Sequence, residues 1–193
     1  VKRFLLTAVL VLFAFSAMAA ESPIDKGSMI VGGSAYFMTQ SGDLYKVGDE
    51  SPTTIAFMPE FGYFIAPSIM IGAMVHFENY KIGDSKQTFL AFGPMIAYYF
   101  NMNPTQIKGA IYPYVKGMFM MGTEKYENGG TEKYSGTQFG GKAGINFMLA
   151  DHVALDFGVL FTSDSFKQKE PTETESVSGT TIQVGAGIQA FVF

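Results

Sequence analysis

The chain has 193 residues, with 19 Phe, 10 Tyr and 22 Gly, no Cys and no Trp, and only 16% of it is charged. Its apolar and aromatic content excludes a disordered chain, and its length sets one domain as the default. A formal charge of −4 excludes nucleic acid as a partner, because a phosphate backbone calls for a basic stripe.

Lys2 and Arg3 open a basic segment, Phe4 to Phe15 follow as an apolar run, and Ser16, Ala17, Met18 and Ala19 close it with an Ala-x-Ala exit. That order predicts a secretory signal peptide over 1–19, cleaved between Ala19 and Ala20. The apolar run is shorter than the ~20 residues a helix needs to cross about 30 Å of hydrocarbon. An exported chain without cysteine can hold neither a disulfide nor a thiolate metal site. Its two histidines, His76 and His152, fall on different segments without helical i, i+4 spacing, so no metal and no cofactor is implied.

After a short tail over 20–27, alternation has period two, predicting strands over 28–39, 53–65, 69–80, 88–100, 110–122, 137–148, 153–165 and 179–193. In the second strand Ile55, Phe57, Phe61 and Tyr63 share one face, and Ala56, Met58, Glu60 and Gly62 the other. The third sets Ile69, Ile71, Ala73, Val75 and Phe77 against Met70, Gly72, Met74, His76 and Glu78. The fifth sets Ile111, Val115, Phe119 and Met121 against Tyr112, Tyr114, Lys116 and Met118. The sixth opposes Phe139, Ala143, Ile145 and Phe147 to Gln138, Gly140, Lys142, Gly144 and Asn146. The seventh opposes Val153, Leu155, Phe157, Val159 and Phe161 to Ala154, Asp156, Gly158 and Thr162.

A soluble sandwich or barrel also alternates, with its apolar face inward. Here the polar face is rich in glycine and carries single charges, which suits the narrow lumen of an eight-stranded barrel better than a solvated surface. The apolar face ends in aromatics: Phe61, Tyr63, Tyr98, Phe100 and Phe147 near one set of turns, and Phe37, Phe77, Phe119, Phe139 and Phe161 near the other. Two such girdles around an aliphatic band are what a transmembrane barrel shows to lipid. Tight links at 66–68 and 149–152, with a longer one at 101–109, alternate with polar links at 40–52, 81–87, 123–136 and 166–178, the bacterial pattern of short periplasmic turns and longer external loops. The N-terminus is therefore expected in the periplasm. Tyr63-Phe64-Ile65-Ala66 recurs 84 positions later as Phe147-Met148-Leu149-Ala150, a weak internal repeat. Pro59, Pro94 and Pro113 fall inside predicted strands, and each predicts a bulge or a strand boundary.

Pro59-Glu60-Phe61-Gly62-Tyr63-Phe64-Ile65, Phe92-Gly93-Pro94 with Tyr98-Tyr99-Phe100, Tyr112-Pro113-Tyr114-Val115 and the terminal Phe193 are the motifs on which the chain resembles a known family. It is similar to the small outer-membrane β-barrels that include the transmembrane domain of outer membrane protein A and the adhesin-like outer membrane protein X group. The resemblance implies an eight-stranded antiparallel up-and-down transmembrane β-barrel over 28–193, in the outer membrane of a Gram-negative bacterium. It also implies outer-membrane lipid and the barrel-insertion machinery as partners, the latter reading the last strand. In that strand, alternation puts Ile182, Val184, Ala186, Ile188, Ala190 and Val192 on the lipid face, so Phe191 and Phe193 fall inward unless a bulge near Gly187 shifts the phase.

At roughly 3.3 Å per residue, Glu60, Lys116, Lys142 and Asp156 come to comparable heights in the lumen, with His76 and Glu78 higher. Lone charges are costly in a narrow lumen, so these are expected to pair into an ionic plug. Eight strands leave room only for side chains, which favours a structural or surface-interaction protein over the alternative of a narrow porin-like channel for small solutes. No Ser lies two positions from His76 or His152, so no nucleophile and base are spaced for catalysis, and a non-enzyme is expected. The 123–136 link repeats Thr-Glu-Lys-Tyr around Asn128-Gly129-Gly130, predicting an extended hairpin. Tyr126 and Tyr134 are its candidates for contact with a surface ligand, and the acidic 166–178 link is a second candidate surface.

Overall fold

Residues whose side chains alternate between greasy and small or polar pair into eight strands in the computed structural model, which describes residues 22–39, 53–83, 85–101, 107–127, 130–170 and 176–193. The strands are β1 (Met29–Thr39), β2 (Thr53–Ala66), β3 (Ile69–Ile82), β4 (Ser85–Tyr99), β5 (Ile111–Glu127), β6 (Thr131–Ala150), β7 (Val153–Glu170) and β8 (Ser176–Val192). Each pairs antiparallel with its chain neighbours, and β8 returns to β1 to close the barrel. The predicted signal segment 1–19 and the 40–52 link lie outside the described residues.

The wall is inside-out relative to a soluble protein. Phe57, Phe92, Phe139, Val159 and Ile188 are exposed on its outside, while Met58, Met74, Tyr114, Met118 and Leu160 are buried inside. Both aromatic girdles lie on the outer face where they are described: Tyr98 meets Phe100 at 5.0 Å between ring centroids, and Phe119 meets Phe139 at 4.9 Å. The side chain of Phe37 is outside the described residues.

Several strands run further than their apolar pattern does. β5 continues to Glu127 and β6 starts at Thr131, so most of the predicted 123–136 link is ladder. β7 reaches Glu170 and β8 begins at Ser176, and only two positions separate Ile82 of β3 from Ser85 of β4. The expected contrast between short and long connectors is therefore largely replaced by a contrast in how far the strands extend. The physical reason is that the apolar face stops where greasy surroundings stop, whereas backbone hydrogen bonding continues as long as neighbouring strands stay paired.

The prolines produce neither bulge nor boundary, with one partial exception. Pro59 pairs with Gly33 in unbroken register, and Pro94 pairs likewise with Ala73. On the opposite side of each, the ladder skips two residues and resumes in the same register: Phe57↔Phe77 to Glu60↔Met74, and Phe92↔Met121 to Met95↔Met118. In an antiparallel strand one residue's N–H and C=O face the same neighbour, so the missing donor disturbs one ladder only. Pro113 keeps its pairing with Ile145 near the start of β5, where the β4–β5 ladder ends at Tyr99↔Tyr114 and Phe100 N–H donates to the Pro113 carbonyl at 2.8 Å.

Register shifts occur instead at Phe64/Ala66, Met148/Ala150 and Lys133/Tyr134. The first two are the repeated motif of the sequence, and their surroundings repeat as well. Phe64 N–H donates to Ser28 and Met148 N–H to Ala110, while the Phe64 and Met148 carbonyls accept from Gly27 and Gly109. Both glycines have positive φ, 102° and 82°, a backbone that side-chain-bearing residues avoid.

At this near end, Ser22 to Ser28 form a turn rather than a loose tail. Ile24 is buried in the core, its carbonyl accepts from Ser68 N–H at 2.8 Å, and Ser28 Oγ donates to the Ser22 carbonyl at 2.8 Å. Phe64, Met70, Tyr99, Tyr112 and Phe191 pack above it as an apolar floor. Phe191 faces inward because β8 keeps one register across Gly187 against both β1 and β7, so no bulge shifts its phase. The β1–β8 ladder runs only from Met29↔Val192 to Ala35↔Ala186 among the described residues, shorter than the β7–β8 ladder, which continues to Lys167↔Ser176.

Candidate functional site: a polar network across the lumen

Inward positions at mid-height bring together side chains from six strands. Lys116 of β5 donates to both carboxylate oxygens of Glu60 on β2, at 2.6 and 2.5 Å. Lys142 of β6 meets Asp156 of β7 at 2.5 Å and Ser34 of β1 at 2.7 Å. All four charged side chains are buried. The four charges expected at one level thus form two separate ion pairs rather than a single cluster.

Uncharged groups complete both pairs. Ser34 Oγ and the Tyr114 hydroxyl donate to Asp156 at 2.8 and 2.6 Å. Gln189 of β8 donates to Glu60 at 2.8 Å and accepts from Asn146 at 2.8 Å. Each carboxylate is therefore supplied with donors beyond its lysine, the condition under which burying an ion pair is tolerable.

Lys116 and Lys142 are direct partners in the β5–β6 ladder, a like-charge juxtaposition that is unfavourable on its own. Their ammonium groups turn to different carboxylates, and the Tyr114 ring lies 5.2 and 5.8 Å from them. Tyr114 can reach Asp156 across β6 because its row passes over Gly144 and Gly158. A Cβ on Gly144 would meet the Phe157 carbonyl at 2.4 Å and the Tyr114 hydroxyl at 2.7 Å, so glycine there makes room for the ring.

His76 and Glu78 stand apart from these pairs, in a second group nearer the far end. His76 Nδ1 lies 3.2 Å from Gln138 Oε1, its Nε2 lies 3.5 Å from Glu78, and Gln138 donates to Asp164 at 2.7 Å. His152 is at the near end, with Nδ1 3.1 Å from the Phe191 carbonyl and its ring 4.7 Å from Phe193. Both histidines are thus held by groups other than a serine. Tyr126 and Tyr134 pack edge to face at 5.3 Å on the extended β5–β6 hairpin, with hydroxyls donating to Glu124 and Glu132 at 3.0 Å.

Ser34, Tyr114, Asn146, Gln138, Asp164 and Gln189 belong to these networks without having been singled out from the sequence. Their inward phase was the available signal.

The chain is a closed barrel with lipid-type outer faces and a polar lumen, and a family model described as "Outer membrane protein beta-barrel domain" matches residues 6–189. The chain belongs to that family. It is an outer-membrane β-barrel protein. Among solved structures it is similar to neisserial surface protein A, NspA, at 16% identity and a TM-score of 0.54, covering 86% of this chain and 96% of that one. It is also similar to OprG of Pseudomonas aeruginosa, at 16% identity and a TM-score of 0.52 over 89% and 97% of the two chains. The N-terminal barrel domain of OprF from the same organism gives 11% identity and 0.52 over 86% and 98%. At these identities the likeness is one of fold. No curated protein gives a significant sequence match.

Proposed function

We propose that this outer-membrane barrel is non-catalytic and closed by its own side chains, serving as a structural and surface-contact protein. The observation that carries this reading is the pair of buried ion pairs, Lys116–Glu60 and Lys142–Asp156, spanning the lumen above an apolar floor. The N-terminal turn faces the periplasm and the β5–β6 hairpin projects outward, with Tyr126 and Tyr134 as its contact residues. The last strand, ending in Phe193, serves as the segment read by the insertion machinery, presenting aliphatic residues to lipid and Phe191 inward.

Planar-bilayer recordings test closure: the wild-type barrel is expected to show no steady, sizeable conductance, and such conductance would favour the narrow channel instead. That second reading draws on the cavity of about 160 Å³ entering the lumen from the far end. Deletion of 124–134 with retention of the folded barrel is expected to abolish surface binding by whole cells. Unchanged binding would leave the hairpin an inert extension.

A further inference from the structure

Above the ion pairs, the far-end cavity of about 160 Å³ is walled by Glu78, Glu124 and Asp164, together with His76, Gln138 and Gln183, and among the described residues neither Lys nor Arg lines it. The direction of hydrogen bonding here follows from chemistry. Gln138 Nε2 donates to the Asp164 carboxylate, which turns its carbonyl oxygen toward His76 Nδ1. A carbonyl only accepts, so in the neutral ring Nδ1 carries the proton and Nε2 presents a lone pair.

His76 is only 3% exposed, and its Nε2 has no hydrogen-bond partner. The group facing it is Glu78 Oε2, itself an acceptor, at 3.5 Å. Gln183 gives its amide to the same carboxylate at 3.4 Å and leaves its own Oε1 without a partner. The Gln87 amide is likewise directed to Glu124. Beside the hydroxyls of Thr162 and Thr181, what faces the cavity is mainly acceptors and negative charge, and the inward lysines below it, Lys116 and Lys142, are committed to Glu60 and Asp156.

We propose that this cavity binds a small organic cation by its nitrogen head, an ammonium or guanidinium group. Such a head is all donor and no acceptor, so from the cavity side it can bridge Nε2 and Glu78, which lie 3.5 Å apart, and donate to both. No three acidic or imidazole groups among the described residues are close enough together to hold a metal ion, whereas a head with divergent N–H bonds spans them. Phe89 and Phe166 also line the cavity, Phe89 packing at 5.0 Å against His76 and at 5.6 Å against Phe166, and provide aromatic surface for a cation.

The test titrates the full barrel, folded in lipid nanodiscs with 15N-labelled histidine, with methylguanidinium chloride. Urea serves as the neutral donor control, and potassium and magnesium chloride as ionic controls. The expected result is a saturable shift of the His76 Nε2 resonance with His152 unmoved. Glu78→Gln, whose new amide can itself donate to Nε2, and Asp164→Asn should each weaken binding about tenfold or more, the scale of losing one charged partner. Folding of both variants is checked by heat-modifiable migration on a gel. The proposal is overturned by no saturable shift, by an equal response to urea or to the inorganic cations, or by unchanged affinity in folded variants.

Discussion

Lys142 illustrates how one residue's environment sets its cost. Its ammonium is held by Asp156 and Ser34, and Asp156 in turn accepts from Tyr114. Lys142→Met removes the cation and leaves a buried carboxylate with two neutral donors, an outcome expected to cost about 3–5 kcal/mol. Lys142→Met combined with Asp156→Leu removes the uncompensated charge, and most of the loss is expected to return. Urea unfolding in lipid vesicles, followed by gel mobility, measures both, and a double variant no more stable than the single one would contradict the account. At this scale the inward phase of each charge was legible in the sequence. Which lysine meets which carboxylate was not, because that depends on reach across a closed lumen. The parts played by Tyr114, Ser34 and Gln189 were not legible for the same reason: a neutral polar side chain declares a role only once its neighbour across the barrel is known.

Strands and turns carry a different kind of information. The repeat at 63–66 and 147–150 proves to be a shared turn device, with a register shift and a glycine donor in each copy. The prolines predicted a bulge or a boundary because each deletes a ladder donor, but that donor concerns one neighbouring strand, and the ladder on the other side holds the register. Strand ends were underestimated wherever alternation turned polar, as between Thr123 and Glu127 of β5. Glycine gives an element-level test. Gly144→Ala drives a Cβ into the Phe157 carbonyl and the Tyr114 hydroxyl and is expected to destabilise the barrel by about 1–3 kcal/mol. For Gly141→Ala, three positions earlier on the outer face, the added Cβ would meet the Lys116 carbonyl at an ordinary 3.6 Å, and the change is expected to be close to neutral. Equal effects in the same unfolding measurement would remove the steric explanation.

Among the described residues the inner face of the wall is acidic at the far end. Lys81, Lys86 and Lys125 are exposed at the far end of the wall, while Glu78, Glu124 and Asp164 line its interior. On the proposed orientation, with the far end outside the cell, protease added to intact cells is expected to cut at the β5–β6 tip before any near-end turn. Early cleavage near Asp151 would reverse the orientation. Fold class, strand number and the sense of the wall were legible because all three follow from alternation phase, which does not require knowing how the barrel closes.

Closure itself is uneven. β8 is paired with β7 from Ser176 to Ala190, but among the described residues it is paired with β1 only from Ala186 to Val192. In hydrocarbon an unpaired amide finds no water to replace its partner, so among the described strand pairs the upper β1–β8 seam is the least protected. Amide exchange is expected to be faster over 176–185 than over 186–192, with uniform protection refuting it. The first and last strands to leave the ribosome would then meet from the floor upward, and breathing of the finished barrel would begin at the opposite end of that same line.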